Sequence, residues 1–529
     1  MATTEPSSVD QVILSKAKED GPTATKTSTE DRAHGDAEKG LDSSTSPETG
    51  KKDGFLVENG DHEGEATPDP NLVDWNGPDD PANPRNWPKK KKMLNIVLVS
   101  LSVLYSNIAT TMFAPGAAQV ATEFHITSSV IETLMVTIPS LGASMGPLLL
   151  APLSEIIGRI HIYWASAVLY LGCTVGCACS TNAAMFLVFR FVCGSCAASF
   201  MTVGGGTIAD LLAKEERGGA TAMFSAGPLL GPIIGPIIGG FITQALGWRW
   251  TFYLVLILAG TVTAIATVTM RETNAAMILS AKASRLRKET GNPNLYPAGR
   301  KQGQPSARGL MERALIRPLR ILLFSPIVFL TGMYMAITFG MTYLLFATFP
   351  SVFEQTYSWS TGVSGLAYLG LGVGCAIGLK IFASLSDKLL KKDGGPERRL
   401  LLMIWIGGPA VPIGIFWYGW TANVAVQWIV PIIGTVFIGL GVLIVTSSAQ
   451  LYMMDMFGPE GAASALAATT LVRNASGAFL ALAADPLYER FGLGWGNSVL
   501  GFVTLAFVPV PVLLFNYGER LRERFPLKL

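Results

Sequence analysis

The sequence predicts an all-α polytopic membrane protein of twelve transmembrane helices in two six-helix bundles, and three observations carry that expectation. Half of the 529 residues are hydrophobic and only 15% are charged, with a positive mean hydropathy despite a strongly polar N-terminal stretch. Apolar runs of spanning length recur twelve times, at about 93–115, 129–153, 161–180, 184–209, 220–245, 251–270, 322–349, 361–384, 400–420, 427–450, 461–483 and 495–516. Each reaches the roughly 20 residues that a helix needs to cross the hydrocarbon layer. The longest loop between them, 271–321, divides the spans six and six.

Residues 1–88 are expected to form a disordered cytoplasmic tail. Up to about residue 74 they are rich in Ser, Thr, Glu, Asp, Gly and Lys and lack apolar periodicity, so that stretch buries too little surface to offset the entropy of ordering. No early apolar stretch resembles a cleaved leader, and the first span is expected to act as the insertion signal. The N-terminal bundle follows at 89–270, a basic linker at 271–321, the C-terminal bundle at 322–517 and a short cytoplasmic tail at 518–529. Within the linker, residues 275–289 can form a surface helix with Lys282, Arg285 and Lys288 toward anionic lipid, or a solvated basic strand of chain.

Charge sets the expected orientation. With the N-terminus inside, the cytoplasmic flanks and loops from residue 89 onward hold 27 Lys and Arg, whereas the opposite face holds only Arg249 and Arg490. Both termini are therefore expected in the cytoplasm. The net charge of +2 gives no reason to expect a nucleic-acid partner. The cysteines at 173, 177, 179, 193 and 196 lie in apolar runs without histidine and read as small buried hydrophobes. Histidines at 34, 62, 125 and 161 have no metal spacing, and no phosphate-binding loop is present. Neither an enzyme nor a bound metal or cofactor is expected.

The most distinctive segment is GPLLGPIIGPIIGG at 227–240. Glycines at a spacing of four, Gly227, Gly231, Gly235 and Gly239, form a small-residue stripe for close helix packing, and Pro232 and Pro236 soften the same helix. At Gly235 and Gly239 leucine should be excluded, while alanine should be tolerated. At the inner end of the second span, Glu155 and Arg159 stand four apart around Gly158, a spacing that suits a gate contact or an ordinary surface pair. Arg190 lies inside the fourth span and Arg473 inside the eleventh, where a charge needs a partner or a wet cavity. Glu132 enters the second span from the outer side, so Arg190 and Glu132 could meet. Asn107, Thr110, Phe339, Tyr343, Gln450 and Asn474 are candidates to line a cavity, or polar bridges between packed helices. No Asp, Glu or His stands in the middle third of a span. Glu132, Glu155, Asp210 and Asp455, near helix ends, are the remaining candidates to carry a proton.

Several stretches after residue 74 together resemble a twelve-span major facilitator of the fungal drug/proton antiporter branch: DWNGPDDPANPRNWPKKKK (74–92), PLSEIIGR (152–159), RFVCG (190–194), GPIIGPIIGG (231–240), AKASRLRKETGN (281–292), NASGAF and GWGNSVLGF. The resemblance implies alternating access driven by the proton gradient, with the fifth-span motif, Gly231, Gly235, Pro236, Gly239 and Gly240, governing closure. It also implies that Arg190 aids proton coupling. The chain departs from the family pattern at Ala151, where glycine is usual, at Glu155 in place of aspartate, and at Cys193 in place of the frequent glutamine. The expected function is proton-coupled export of amphipathic small molecules, either drugs and toxins or a fungal secondary metabolite, by a monomer in the plasma membrane. An importer of a polyamine, vitamin or sugar and a non-transporting sensor or scaffold are the alternatives.

Overall fold

The computed structural model describes residues 69, 71–213, 216–298, 307–390 and 395–525. The expectations for residues 1–68, for 299–306 of the linker and for 526–529 lie outside the described residues. The helices of the first half are α1 (Lys89–Met112), α2 (Ala117–Glu123), α3 (Ser129–Ile157), α4 (Arg159–Ala178), α5 (Ala183–Leu211), α6 (Arg217–Leu246) and α7 (Arg249–Thr269). The linker contributes α8 (Ala275–Thr290) and α9 (Ala307–Phe324). The second half holds α10 (Pro326–Tyr357), α11 (Thr361–Ser364), α12 (Tyr368–Leu390), α13 (Gly408–Asn423), α14 (Ile429–Phe479), α15 (Ala484–Phe507) and α16 (Pro509–Arg524).

Eleven runs among the described residues are long and apolar enough to cross a membrane. The last, Gly461–Arg524, has 64 residues, roughly 96 Å of helix, about three times the hydrocarbon thickness. It reverses at Gly492, where φ of 71° and ψ of 175° break the helix. With that run counted as two crossings the total is the expected twelve. The 51 helical residues of α14 likewise hold two crossings, Ile429–Phe457 and the segment that starts at Gly461.

Each half is held together by backbones in close approach. In the first half, Gly142 and Gly146 of α3 face the carbonyls of Phe191 and Ser195 on α5, and Gly194 faces the carbonyl of Pro139. The second half repeats the device: Gly374 of α12 faces the carbonyl of Val436 on α14, and Gly439 faces that of Leu371. Apolar side chains fill the remainder. Val99, Val103, Tyr105, Tyr170, Phe200 and Leu211 centre the first core, and Leu344, Phe349, Tyr368, Val411 and Tyr418 the second.

The tail boundary at 88 is too late. Residues 71–88 are built into the structure: β1 (Leu72–Val73) pairs in parallel with β2 (Tyr296–Pro297) of the linker. Asp80 accepts from the backbone N–H of Asn76 (2.7 Å) and Ala82 (2.9 Å), and Trp87 is buried under the Lys91 ammonium at 3.5 Å. Asp and Asn side chains satisfy this short backbone locally without apolar periodicity. The linker helix forms where expected, yet Lys282 donates to Asp74 O (2.6 Å) and Asn76 Oδ1 (2.8 Å) rather than facing lipid. Arg285 pairs with Glu289 at 2.7 Å. The seventh span starts at Pro326, four residues later than the sequence suggests, because α9 occupies residues up to 324 and Ser325 caps the new helix.

The strap formed by 71–88 should depend on an ionised Asp80. The N–H groups of Asn76 and Ala82, with the Lys282 ammonium, hold its carboxyl below the usual carboxylate range. A lowered folded-state pKa means that the stabilisation is present above the ordinary Asp pKa and is lost as pH falls through the lowered value. Hydrogen–deuterium exchange of 71–88 should therefore rise in Asp80→Asn at neutral pH, with little change in α1. In the wild type the same rise should come only on acidification.

Candidate functional site

We call the end of the bundle that carries Arg159, Asp210 and Arg399 the basic end. There, Gly158 adopts φ of 100° and separates α3 from α4. That break corrects the expected Glu155–Arg159 pair: the two residues stand on different helices, and the spacing of four does not place them on one face. Glu155 is exposed. Arg159 instead donates to Ser154 Oγ (2.6 Å) and to Asp210 of α5 (3.4 Å). Glu272, after α7, accepts from the N–H of Arg159 and of Ile160, both at 3.1 Å, and so caps α4 from across the bundle. A side chain at Gly158 would meet Glu272. The second half repeats this cluster, with Arg399 donating to Ser386 (2.7 Å) and to Asp455 (2.9 Å). The sequence offered Asp210 and Asp455 as acids near helix ends but did not single out Ser154, Glu272 or Ser386.

Arg190 is 3% exposed. Its guanidinium does not reach Glu132; it donates to four carbonyls, Ala109 (3.2 Å), Thr110 (3.2 Å), Met135 (3.3 Å) and Val136 (3.3 Å). The reason is in the backbone. Pro139 has no N–H, so the Met135 carbonyl four residues earlier lacks its helical donor, and Ala109 and Thr110 lie in the last turn of α1, where carbonyls have no intrahelical partner. Phe113 and Phe252 cover the guanidinium at 5.1 and 5.9 Å.

The glycine stripe of α6 lies on α1. Gly227 faces Val103 and Leu104, Gly231 faces Asn107 and Ile108, Gly235 faces Thr111 and the Ile108 carbonyl, and Gly239 faces the Met112 carbonyl. Even a methyl group does not fit: a Cβ at Gly235 would stand 2.5 Å from Thr111 Oγ1, and one at Gly239 would fall on the Met112 oxygen. The expected tolerance of alanine is corrected on that ground. Gly240 and Pro236 have another role. A Cβ at Gly240 would come within 2.5 Å of the Thr361 carbonyl, and the Pro236 carbonyl lies as close to the Cβ position of Gly365. Both therefore belong to the seam between the halves.

That seam is closed at the end opposite the basic one. Gln244 accepts from the N–H of Gly362 (2.8 Å), Thr137 donates to Ala478 O (3.3 Å) and Ser140 to Asn474 O (3.0 Å). Farthest out, Thr133 donates to Asp485 Oδ2 at 2.9 Å. Glu132, partly buried beside it, interacts with the Asp485 charge, and Asp485 in turn with that of Glu489. Asp485 went unnoticed in the sequence because it stands two residues beyond the expected end of the eleventh span.

Between the seam and the basic end, Tyr343 comes within electrostatic reach of both Arg190 and Arg473. Phe339 packs against Tyr343 with centroids 5.0 Å apart, and the Arg473 guanidinium lies over the Phe339 ring at 4.7 Å. Asn107, Thr110, Phe339, Tyr343, Gln450 and Arg473 are all partly accessible, whereas Asn474 is buried. Asn107 and Thr110 donate to carbonyls of their own helix, Val103 (2.8 Å) and Ser106 (2.9 Å).

A sequence profile described as the Major Facilitator Superfamily matches residues 99–482. A protein named MFS transporter fsa7, from Fusarium sp. (strain FN080326), is 55% identical over 464 residues, which is 87% of this chain and 91% of that one. A protein from Gibberella fujikuroi, named Trichosetin biosynthesis cluster MFS transporter, is 51% identical over 472 residues, 88% of this chain and 91% of that one. Among solved structures, the proton:xylose symporter XylE bound to 6-bromo-6-deoxy-D-glucose superposes with a TM-score of 0.58 at 17% identity, covering 83% of this chain and 100% of that one. At such identity the likeness concerns the fold.

The α1–α6 contact predicts a sharp contrast within one helix. Gly239→Ala should lower thermal stability in nanodiscs by about 1–3 kcal/mol through overpacking. Gly219→Ala, whose Cβ would meet nothing within 4 Å, should stay within about 0.5 kcal/mol of wild type. Equal stability of the two variants would show that the helices can separate at no cost.

Proposed function

The chain belongs to the Major Facilitator Superfamily, and from that premise we propose that it is a proton-coupled exporter of an amphipathic fungal secondary metabolite, working by alternating access in the plasma membrane with both termini cytoplasmic. The high identity to a transporter named for a biosynthetic cluster supports the substrate class. The excess of Lys and Arg at the basic end supports the orientation, which makes the closed seam the outer one.

The observation that carries proton coupling is the position of Glu132 and Asp485 on opposite halves of that seam. Two carboxylates that are both charged repel one another and favour an open seam. A proton taken by either removes the repulsion and leaves Thr133 free to bridge to Asp485, so protons arriving from outside favour closure. Closure to the outside returns the cavity to the cytoplasm for the next substrate. For protons to move inward as substrate moves outward, the proton taken at the seam must leave to the cytoplasm through the inward-facing cavity before the seam reopens. Arg190, with its guanidinium committed to carbonyls of α1 and α3, keeps α3 in register so that Glu132 meets its partner.

The test uses proteoliposomes with trichosetin as the first solute, chosen from the name of the relative. An imposed pH gradient should drive its movement, with a matching proton flux reported by an internal pH dye. Glu132→Gln combined with Asp485→Asn should reduce gradient-driven accumulation by roughly 5- to 150-fold, the range of ordinary coupling energies, while exchange without a gradient persists. Unchanged gradient-driven accumulation in the double variant would remove the pair from coupling.

A further inference from the structure

We infer that Arg473 is the recognition point for the transported molecule, and that this molecule is an organic anion: a planar oxyanion, such as a carboxylate or an enolate, on an apolar body that stacks against Phe339 and Tyr343. The inference rests on the transport reading and adds the chemical class of the substrate.

The two interior arginines differ in what they have. Arg190 is saturated by four carbonyls. The Arg473 guanidinium makes no hydrogen bond among the described residues, and its Nε is buried without a partner. One face rests on Phe339 at 4.7 Å, which leaves the donor edge for something else. Among the described residues, the titratable group that acts on it is Tyr343. The acids of α3, α10 and the helix of Arg473 itself, among the described residues, stand far along their helices. Ser140 of α3 bonds to the adjacent Asn474, and Glu132 and Glu155 of that helix lie about 12 and 22 Å from Ser140 by helical rise. Glu354 of α10 is about 22 Å along the helix from Phe339, and Asp485 about 18 Å from Arg473.

An unpaired cation held in an apolar interior makes the surrounding space positive and favours a ligand that brings its own negative charge. Guanidinium geometry narrows the choice further, because its planar fork matches two oxygens in one plane. Phe339 and Tyr343, both partly accessible and 5.0 Å apart, offer rings to the remainder of such a molecule. A neutral amphipath can accept from the Arg473 donors but leaves the charge uncompensated. A cationic one would be repelled.

The test compares 1-pyrenebutyrate with its neutral methyl ester, binding to the full-length protein in phosphatidylcholine nanodiscs. Energy transfer from protein tryptophans reports binding, with empty discs subtracted. The acid should bind at least about tenfold tighter than the ester, as expected for a charge-assisted contact away from water. Arg473→Gln should bring the two affinities together by weakening the acid and leaving the ester unchanged, and Arg473→Lys should keep part of the preference. If Arg473→Gln does not fold, Arg473→Met serves in its place, since it removes an unpaired charge and keeps the volume; its thermal stability should equal or exceed that of wild type. No preference in the wild type, or full preference in the Gln or Met variant, overturns the assignment. Because binding needs no gradient, an anion preference without pH-driven flux would instead fail the export reading.

Discussion

In a bilayer a carbonyl that has lost its helical donor finds no water, and the guanidinium of Arg190 is the replacement donor in the first half of this chain. It takes up the Met135 carbonyl freed by Pro139 and two carbonyls of the last turn of α1. Hydrogen bonds from a charged donor are worth roughly 1.5–3 kcal/mol each where partners would otherwise be missing. Three helices, α1, α3 and α5, are thereby fixed to one point. The negative end of the α1 dipole and the two flanking aromatic rings offset part of the cost of burying the charge. Everything farther along depends on this anchor: α3 presents its outer end to the second half, and α1 presents the surface that receives the glycines of α6.

Two kinds of contact coexist, and they indicate which surfaces can part. Inside each half, glycines bring backbone against backbone, as at Gly194 with Pro139 and Gly439 with Leu371. Such interfaces have no small displacement available, since any slide places a Cα against a carbonyl. Between the halves Gly240 and Gly365 also approach backbone carbonyls closely, but the hydrogen bonds there are single hydroxyl or amide contacts, Thr137 on Ala478, Ser140 on Asn474 and Gln244 with Gly362. On the proposed alternating access, each is exchanged for water when the cavity opens to that side. The halves are therefore built to move as units, and the clusters around Arg159 and Arg399 sit within a half and brace its basic end.

The fold was legible because hydropathy reports a requirement that has no exception in lipid, and the division six and six followed from one long loop. Helix identity at the glycine stripe was legible as well, since only close packing accounts for Gly at every fourth position. The side-chain partners were not. Spacing on a supposed helix paired Glu155 with Arg159, but one glycine at φ of 100° ended that helix. Proximity in depth paired Arg190 with Glu132, whereas a proline gap in the backbone was the stronger claimant. The clue was present in Pro139, four residues after Met135, and reading prolines for the carbonyl they orphan would have found it. The strap at 71–88 was missed because its order rests on a side chain that caps backbone N–H groups locally, a device that carries no apolar period.

One geometric fact connects the proposed substrate site with the proposed proton site. Arg473, Asn474, Ala478 and Asp485 stand on a single helical run, α14 continued through a short turn of tighter helix into α15. Arg473 and Asp485 are separated by about 18 Å of rise along it. The run bonds to α3 at Ser140, Thr137 and Thr133 in succession. A rod held at three points against one neighbour does not tilt at one end alone. A charge that changes at Asp485 and a ligand that arrives at Arg473 therefore bias the same rigid displacement from α3 of the crossing that runs from Gly461 to the break at Gly492. Mechanical coupling on this arrangement needs no chain of side chains between the sites, only that each occupant prefers one position of a common helix, while the proton itself leaves through the inward-facing cavity.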